Sequence, residues 1–282
     1  MTGRAGRQWF DVAEAVAGVT TVAAMIATPL LPQRGLARKV LSSVVVSGLF
    51  VSTTANAART WGVARASGAA ATTAVATAVV ERVGTKTGLP FGRYAYTGAL
   101  QPQVAHVPVI VPLAWFAMAL PAREVAHNAL GEQSTTVSRI ALGSAAMTAW
   151  DLFLDPQMVG EGYWAWARRG VYRGIPLSNF VGWFLTGLGV MAMLEAWLPR
   201  NNADDAQTND AQANDAQADE ARTSSSAQKA AADPHLVGTY TYMSVMETVG
   251  FARYFRDPVV AAVGGAAMLP IAATALSRRL MQ

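Results

Sequence analysis

Apolar residues along this chain fall in runs of helix length, without strict alternation, broken by short polar connections. A segment crossing a hydrocarbon layer must satisfy its own backbone hydrogen bonds. It is therefore a helix of about 20 residues or a strand of a closed barrel. Non-alternating runs exclude the barrel. Candidate spans lie at residues 10–31, 40–58, 62–80, 104–120, 138–154, 179–198, 236–251 and 258–276. The third is mostly Ala, Thr and Gly, with Arg65 near its start, a composition suited to close helix packing more than to lipid contact. The seventh is short and polar, holding Tyr240, Tyr242 and Glu247. The pattern predicts an all-α, polytopic transmembrane bundle of seven to eight spans.

The connections divide the chain. Residues 81–103 form a Gly- and Pro-containing stretch expected to be re-entrant or interfacial. Residues 155–178 are dense in aromatics and Arg, as at headgroup level. Residues 200–233 differ in kind: D-D-A-Q-T, N-D-A-Q-A, N-D-A-Q-A, D-E-A puts six acids between Asp204 and Glu220 with no aromatic. Such a segment has no apolar surface to bury and is expected to be a disordered linker. The expected organisation is a helical domain over 1–198, an acidic linker over 199–234, and C-terminal helices over 235–282 packing on the same bundle. Arg4 and Arg7 precede the first run in signal-peptide fashion. Without a clear small-x-small cleavage site before a hydrophilic domain, the run reads as a first span.

Composition sharpens this. Only 14% of residues are charged and 52% are hydrophobic, against roughly 25% charged in soluble domains. The net charge of +4 comes from 22 Lys and Arg scattered among short loops, so no basic stripe forms and nucleic acid is excluded as a partner. Eight spans would place eleven of these residues on each side, which leaves orientation and oligomeric state open. Cysteine is absent, which excludes disulfides and thiolate metal sites. His106, His127 and His235 share no ligand spacing, and no cofactor motif is present.

Ionisable side chains within spans are costly and need a partner or a task. Asp151 and Asp155, in W-D-L-F-L-D-P, lie four residues apart and share a helix face. Two such carboxylates repel, which favours one keeping its proton beside an ionised neighbour, the arrangement general acid–base chemistry needs. The plainer alternative has Asp155 ending the helix before Pro156 and Asp151 paired with an Arg. Glu81 opens E-R-V-G-T-K-T-G-L-P-F-G-R-Y-A-Y, where spaced glycines allow a tight path and Arg93 is free to hold a carboxylate. That loop is a poor phosphate cradle, since no G-K-[ST] follows and no strand precedes. Glu81 reads equally well as a span end in water. Glu247 is a further intramembrane acid, and Glu195 is expected to reach the interface. Trp150, Tyr163, Trp164, Trp166, Tyr172 and Trp183 crowd the Asp pair. Such residues form interfacial belts or, beside carboxylates, the walls of a cavity whose π-faces steady a cation.

The stretches E-R-V-G-T-K-T-G-L-P-F-G-R-Y-A-Y-T, H-V-P-V-I-V-P-L-A-W-F-A-M, W-D-L-F-L-D-P-Q-M-V-G-E-G-Y-W-A-W and G-V-Y-R-G-I-P-L-S-N-F-V-G-W resemble the carotenoid hydratases, over about residues 80–198. The acidic repeat is foreign to that pattern. The resemblance implies a multi-pass protein of the cytoplasmic membrane that binds carotenoid and lipid. It adds water to a terminal isopropylidene double bond, giving a tertiary alcohol without a cofactor or metal. That chemistry suggests Asp151 as proton donor, Asp155 as its partner or the water base, and Glu81 as a second base. Trp150, Tyr94, Tyr96, Trp164, Tyr163, Arg93, Asn179 and Trp183 would surround the substrate. Two rivals remain at this stage. One is an Mg-dependent intramembrane prenyltransferase, which needs two acidic motifs; beside Asp151 and Asp155, the stretch from Glu247 to Asp257 is a poor second. The other is a transporter or lipid-binding scaffold, for which no internal repeat is evident.

Overall fold

The structure, a computed structural model, describes residues 4–199 and 232–280; the acidic repeat lies outside them. The described residues form an all-α bundle: α1 (Arg4–Ala27), α2 (Leu36–Trp61), α3 (Val63–Thr87), α4 (Ile110–Leu130), α5 (Thr136–Glu161), α6 (Leu177–Trp197), α7 (Pro234–Arg253) and α8 (Pro258–Leu280). At about 1.5 Å per residue each is long enough to match a hydrocarbon core of about 30 Å. Five of them, α1, α2, α3, α6 and α8, are also apolar enough to cross a membrane. The other three carry most of the buried charge. Outward-facing valines recur at helical spacing, Val12, Val16 and Val19 on α1 and Val75, Val79 and Val83 on α3. This apolar exterior suits lipid as solvent.

Local sequence sets the helix ends. Thr135 and Ser138 form a capping box at the start of α5, and Asp233 caps α7 through the amides of His235 and Leu236. Gly88 ends α3 at φ 83°, where a Cβ would be strained. Several helices outrun their apolar stretches. The third extends past residue 80 to Thr87, so Glu81 lies inside a helix. The fourth starts at Ile110, since residues 103–108 form a small hairpin, and runs through Pro121 to Leu130. The fifth passes Pro156 and reaches Glu161, so Asp155 does not end it.

The chain runs up and down. Arg38 near the start of α2 pairs with Glu161 at the end of α5, while Thr60 near the end of α2 donates to Asp233 before α7 at 2.7 Å. The C-terminal helices α7 and α8 pack on α4, and α8 also on α5. The centre is α4, which packs against α2, α3, α5, α6, α7 and α8; its residues Trp115 to Ala126 are all buried.

One end of this core is held by ion pairs. Arg123 Nε donates to Glu195 Oε1 at 2.8 Å and Arg139 Nη2 to Glu195 Oε2 at 2.9 Å. Arg123 also reaches Glu124 at 3.1 Å and the Leu198 carbonyl at 2.7 Å. Glu195 therefore points inward between two buried arginines instead of reaching the interface. Glu124 in turn accepts the Asp233 amide at 2.9 Å, tying α7 to α4.

At the opposite end, the two aromatic connections meet. β1 (Tyr94–Tyr96) pairs antiparallel with β4 (Trp164–Trp166), with Tyr94 opposite Trp166 and Tyr96 opposite Trp164. The hairpin of β2 (Gln103–Val104) and β3 (Val107–Pro108) lies beyond it.

Candidate active site

Asp151 and Asp155 project from one face of α5, as four-residue spacing dictates, and both are buried. The Asn179 amide at the start of α6 bridges them, donating to Asp151 Oδ2 at 2.8 Å and to Asp155 Oδ2. Asp155 Oδ1 accepts from Trp164 Nε1 at 3.0 Å. Asp151 Oδ1 is buried without a hydrogen-bond partner. An unsatisfied carboxyl oxygen in a buried site costs folding free energy of about 1–3 kcal/mol or more, so it calls for a reason beyond packing.

Glu81, on α3, is the third buried acid. Tyr94 donates to its Oε2, as does Tyr96 at 2.7 Å, and Trp115 Nε1 approaches Oε1 at 3.3 Å. Residues two apart on a strand share a face, which lets both tyrosines of Y-A-Y serve one carboxyl. Burial, and after it the neighbouring Glu81, pushes the Tyr94 and Tyr96 phenols well up, so both stay hydrogen-bond donors at ordinary pH. Gly84, one turn after Glu81, leaves room for this arrangement: a Cβ there would stand 2.9 Å from the Phe91 ring and 3.1 Å from the Tyr94 hydroxyl. No ion pair joins Glu81, Asp151 or Asp155 to a Lys, Arg or His among the described residues.

The aromatics link the acids. Trp115 stacks on Trp183 with centroids 4.2 Å apart, and Trp150 meets Trp183 edge-on at 6.2 Å. Tyr94 packs against Trp166 at 5.1 Å and Tyr96 against Trp164 at 5.7 Å. Trp115 was not singled out from sequence, although it stands in the H-V-P-V-I-V-P-L-A-W-F-A-M stretch. Tyr163 is buried beside Trp164, its hydroxyl 3.2 Å from Ser42 Oγ, away from the carboxyls. Arg93 is exposed; it takes no part in the cluster beyond a backbone carbonyl that accepts from Ala167.

Two cavities adjoin the cluster. An apolar one of about 380 Å³ lies between α1, α2, α5 and α7 and is walled in part by Trp150, Leu154, Met158, Leu49 and Met243. Its size falls in the range of small-ligand pockets. Asp151, Asp155 and Glu81 do not line it; the carboxyl that does is Glu247. A polar pocket of about 440 Å³ is lined by Tyr94, Tyr96, Arg82, Gln103 and His106. His106 and Ala105 form the β2–β3 turn, both at positive φ. Trp150 is thus shared with the apolar side, and the two tyrosines with the polar side. Among the described residues, no group of three His, Cys, Asp or Glu is placed to hold a metal ion.

The profile of a family described as "Carotenoid biosynthesis protein" matches residues 35–218, well over half of the chain. The chain belongs to this carotenoid biosynthesis family. Every residue of the carboxyl cluster falls inside the matched stretch, whereas Glu247 falls outside it. A curated relative, the bisanhydrobacterioruberin hydratase of Haloarcula japonica, is 35% identical over 111 residues, 38% of this chain and 37% of that protein. The match thus spans little more than a third of the relative's length. No solved structure matches.

Proposed function

We propose that this carotenoid biosynthesis protein hydrates the terminal isopropylidene double bond of an acyclic carotenoid, within a cytoplasmic membrane that all eight described helices cross. The observation that carries this reading is the buried, cation-free trio Glu81, Asp151 and Asp155, lying between an apolar cavity and a polar pocket. The hydratase named among its relatives points the same way.

A neutral trisubstituted alkene is a weak base, so hydration needs a strong acid in a dry site. Asp151 donates a proton from its unpartnered Oδ1 to the less substituted carbon. The remaining tertiary cation faces Trp150 and Trp183, whose π-faces contribute about 0.5–2 kcal/mol each. Water arriving past Tyr94 and Tyr96 adds to the cation and gives its second proton to Asp155 or Glu81. That proton returns to Asp151 through the carboxyl pair, and the balance is one water added. Asn179 holds the two aspartates at a fixed separation, and Trp164 fixes the other Asp155 oxygen. The apolar cavity receives the end of the carotenoid. Since Asp151 does not line it, the tip passes Trp150, the wall shared with the cluster, to reach Oδ1, and the rest of the polyene stays in lipid.

The test is expression in a host that accumulates lycopene, with pigments resolved by chromatography and mass. Gain of one water on the pigment supports the proposal. Unchanged lycopene, with the protein shown folded in the membrane, overturns it for this substrate class.

A further inference from the structure

Glu247, on α7, is a buried acid that the hydration scheme leaves without a role. It is 9% exposed, its carboxyl has no hydrogen-bond or ion-pair partner among the described residues, and it lines the apolar cavity. The wall is mostly apolar, with Met243, Met246 and Val249 from its own helix and Leu154 and Trp150 from α5. The hydroxyls of Thr28, Ser42 and Ser43 also line it but donate to backbone carbonyls of the preceding turn, and Gln157 and Tyr254 complete its polar part. A lone carboxyl left in such a place is costly, and a hydrophobic residue would stabilise the fold better. What it supplies is a carboxyl hydrogen-bonding point inside a mostly apolar cavity, and the ligand that suits it is apolar with a polar atom near its end.

We infer that Glu247 is a ligand-binding residue that hydrogen-bonds a hydroxyl on an acyclic isoprenoid end, so that the cavity prefers a hydroxylated end to the bare hydrocarbon. This rests on the proposed hydration, because a tertiary alcohol is the group that reaction creates. The binding step is non-covalent: the alcohol O–H donates to the carboxylate, or the alcohol oxygen accepts from the carboxylic acid O–H when Glu247 is protonated. Glu247 then retains the product end, and a chain already hydrated at one tip is held by that tip.

The experiment separates the two claims. Full-length protein in lipid nanodiscs carries D151N, so that no probe is consumed. Lycopene and its singly hydrated derivative are titrated against it, with quenching of tryptophan fluorescence by the polyene as the readout. The expected result is about tenfold tighter binding of the hydrated probe, the worth of one charge-assisted hydrogen bond. Glu247→Leu abolishes that preference while raising Tm, since an unpaired buried acid is removed; Glu247→Gln keeps most of it. Equal preference in Glu247→Leu and in its parent overturns the role of Glu247 and leaves the hydration reading standing. Binding of neither probe overturns both.

Discussion

Two buried charged centres stand at opposite ends of this bundle, built from the same acid side chains and solved in opposite ways. At one, Glu195 lies between Arg123 and Arg139, and Glu124 shares Arg123, so each negative charge meets a guanidinium at 2.8–3.1 Å. At the other, Glu81, Asp151 and Asp155 meet only neutral donors among the described residues, two tyrosines, two tryptophans and one asparagine amide. A paired charge is electrostatically quenched and serves to lock helices. Acids held by neutral groups keep their capacity to give and take protons. The difference separates a centre that holds the fold from a centre available for chemistry.

The sharpest break between the two comes from conservative neutralisation of the proposed donor. Asp151→Asn lowers conversion by at least about 10²–10⁴-fold, the usual worth of a positioned acid, while thermal unfolding in detergent moves little. The mirror experiment is Glu195→Leu, which leaves the buried Arg139 without its acid and Arg123 with Glu124 alone. It destabilises by about 3–5 kcal/mol, visible as lost folded protein, with conversion per folded molecule unchanged. Should Glu195→Leu instead abolish turnover in folded protein, the division of labour is wrong.

Smaller effects refine the picture. Asn179→Leu removes the amide bridging the aspartates and lowers conversion about tenfold or more, with a shifted pH profile that a purely structural change would not give. Tyr94→Phe takes one donor from Glu81 and costs about 1–2 kcal/mol of activation free energy, or roughly fivefold to thirtyfold in rate. Gly84→Ala, whose new methyl would press on Tyr94 and Phe91, lowers activity in the same direction by a smaller factor. Chelation of divalent cations leaves conversion unchanged; its loss would favour a metal-dependent transferase instead.

Much of the bundle was legible because hydrophobic run length alone marks helices that face lipid. The second, sixth, seventh and eighth runs match α2, α6, α7 and α8 to within a few residues. Legibility failed where charge enters a helix interior. Pro121 with Arg123 and Glu124 reads as a helix end, yet cross-helix pairing with Glu195 lets α4 continue to Leu130. In the candidate site, the Asp151–Asp155 face follows from spacing within one helix. That Tyr94 and Tyr96 should donate to Glu81, or Asn179 bridge two acids, depends on how separate segments fold together. No local pattern encodes that. Glu247 was visible as an intramembrane acid, but its place in the cavity wall was not.

The central claim is that water is added at a buried, cation-free carboxyl cluster, and oxygen tracing addresses it most directly. Membranes containing the wild-type protein or Asp151→Asn are incubated with lycopene in ¹⁸O-enriched water under air, and the hydroxylated pigment is analysed by mass. The account predicts solvent ¹⁸O in the tertiary alcohol formed by the wild type and no such product from the variant. Oxygen drawn from air, or undiminished product from Asp151→Asn, would contradict it.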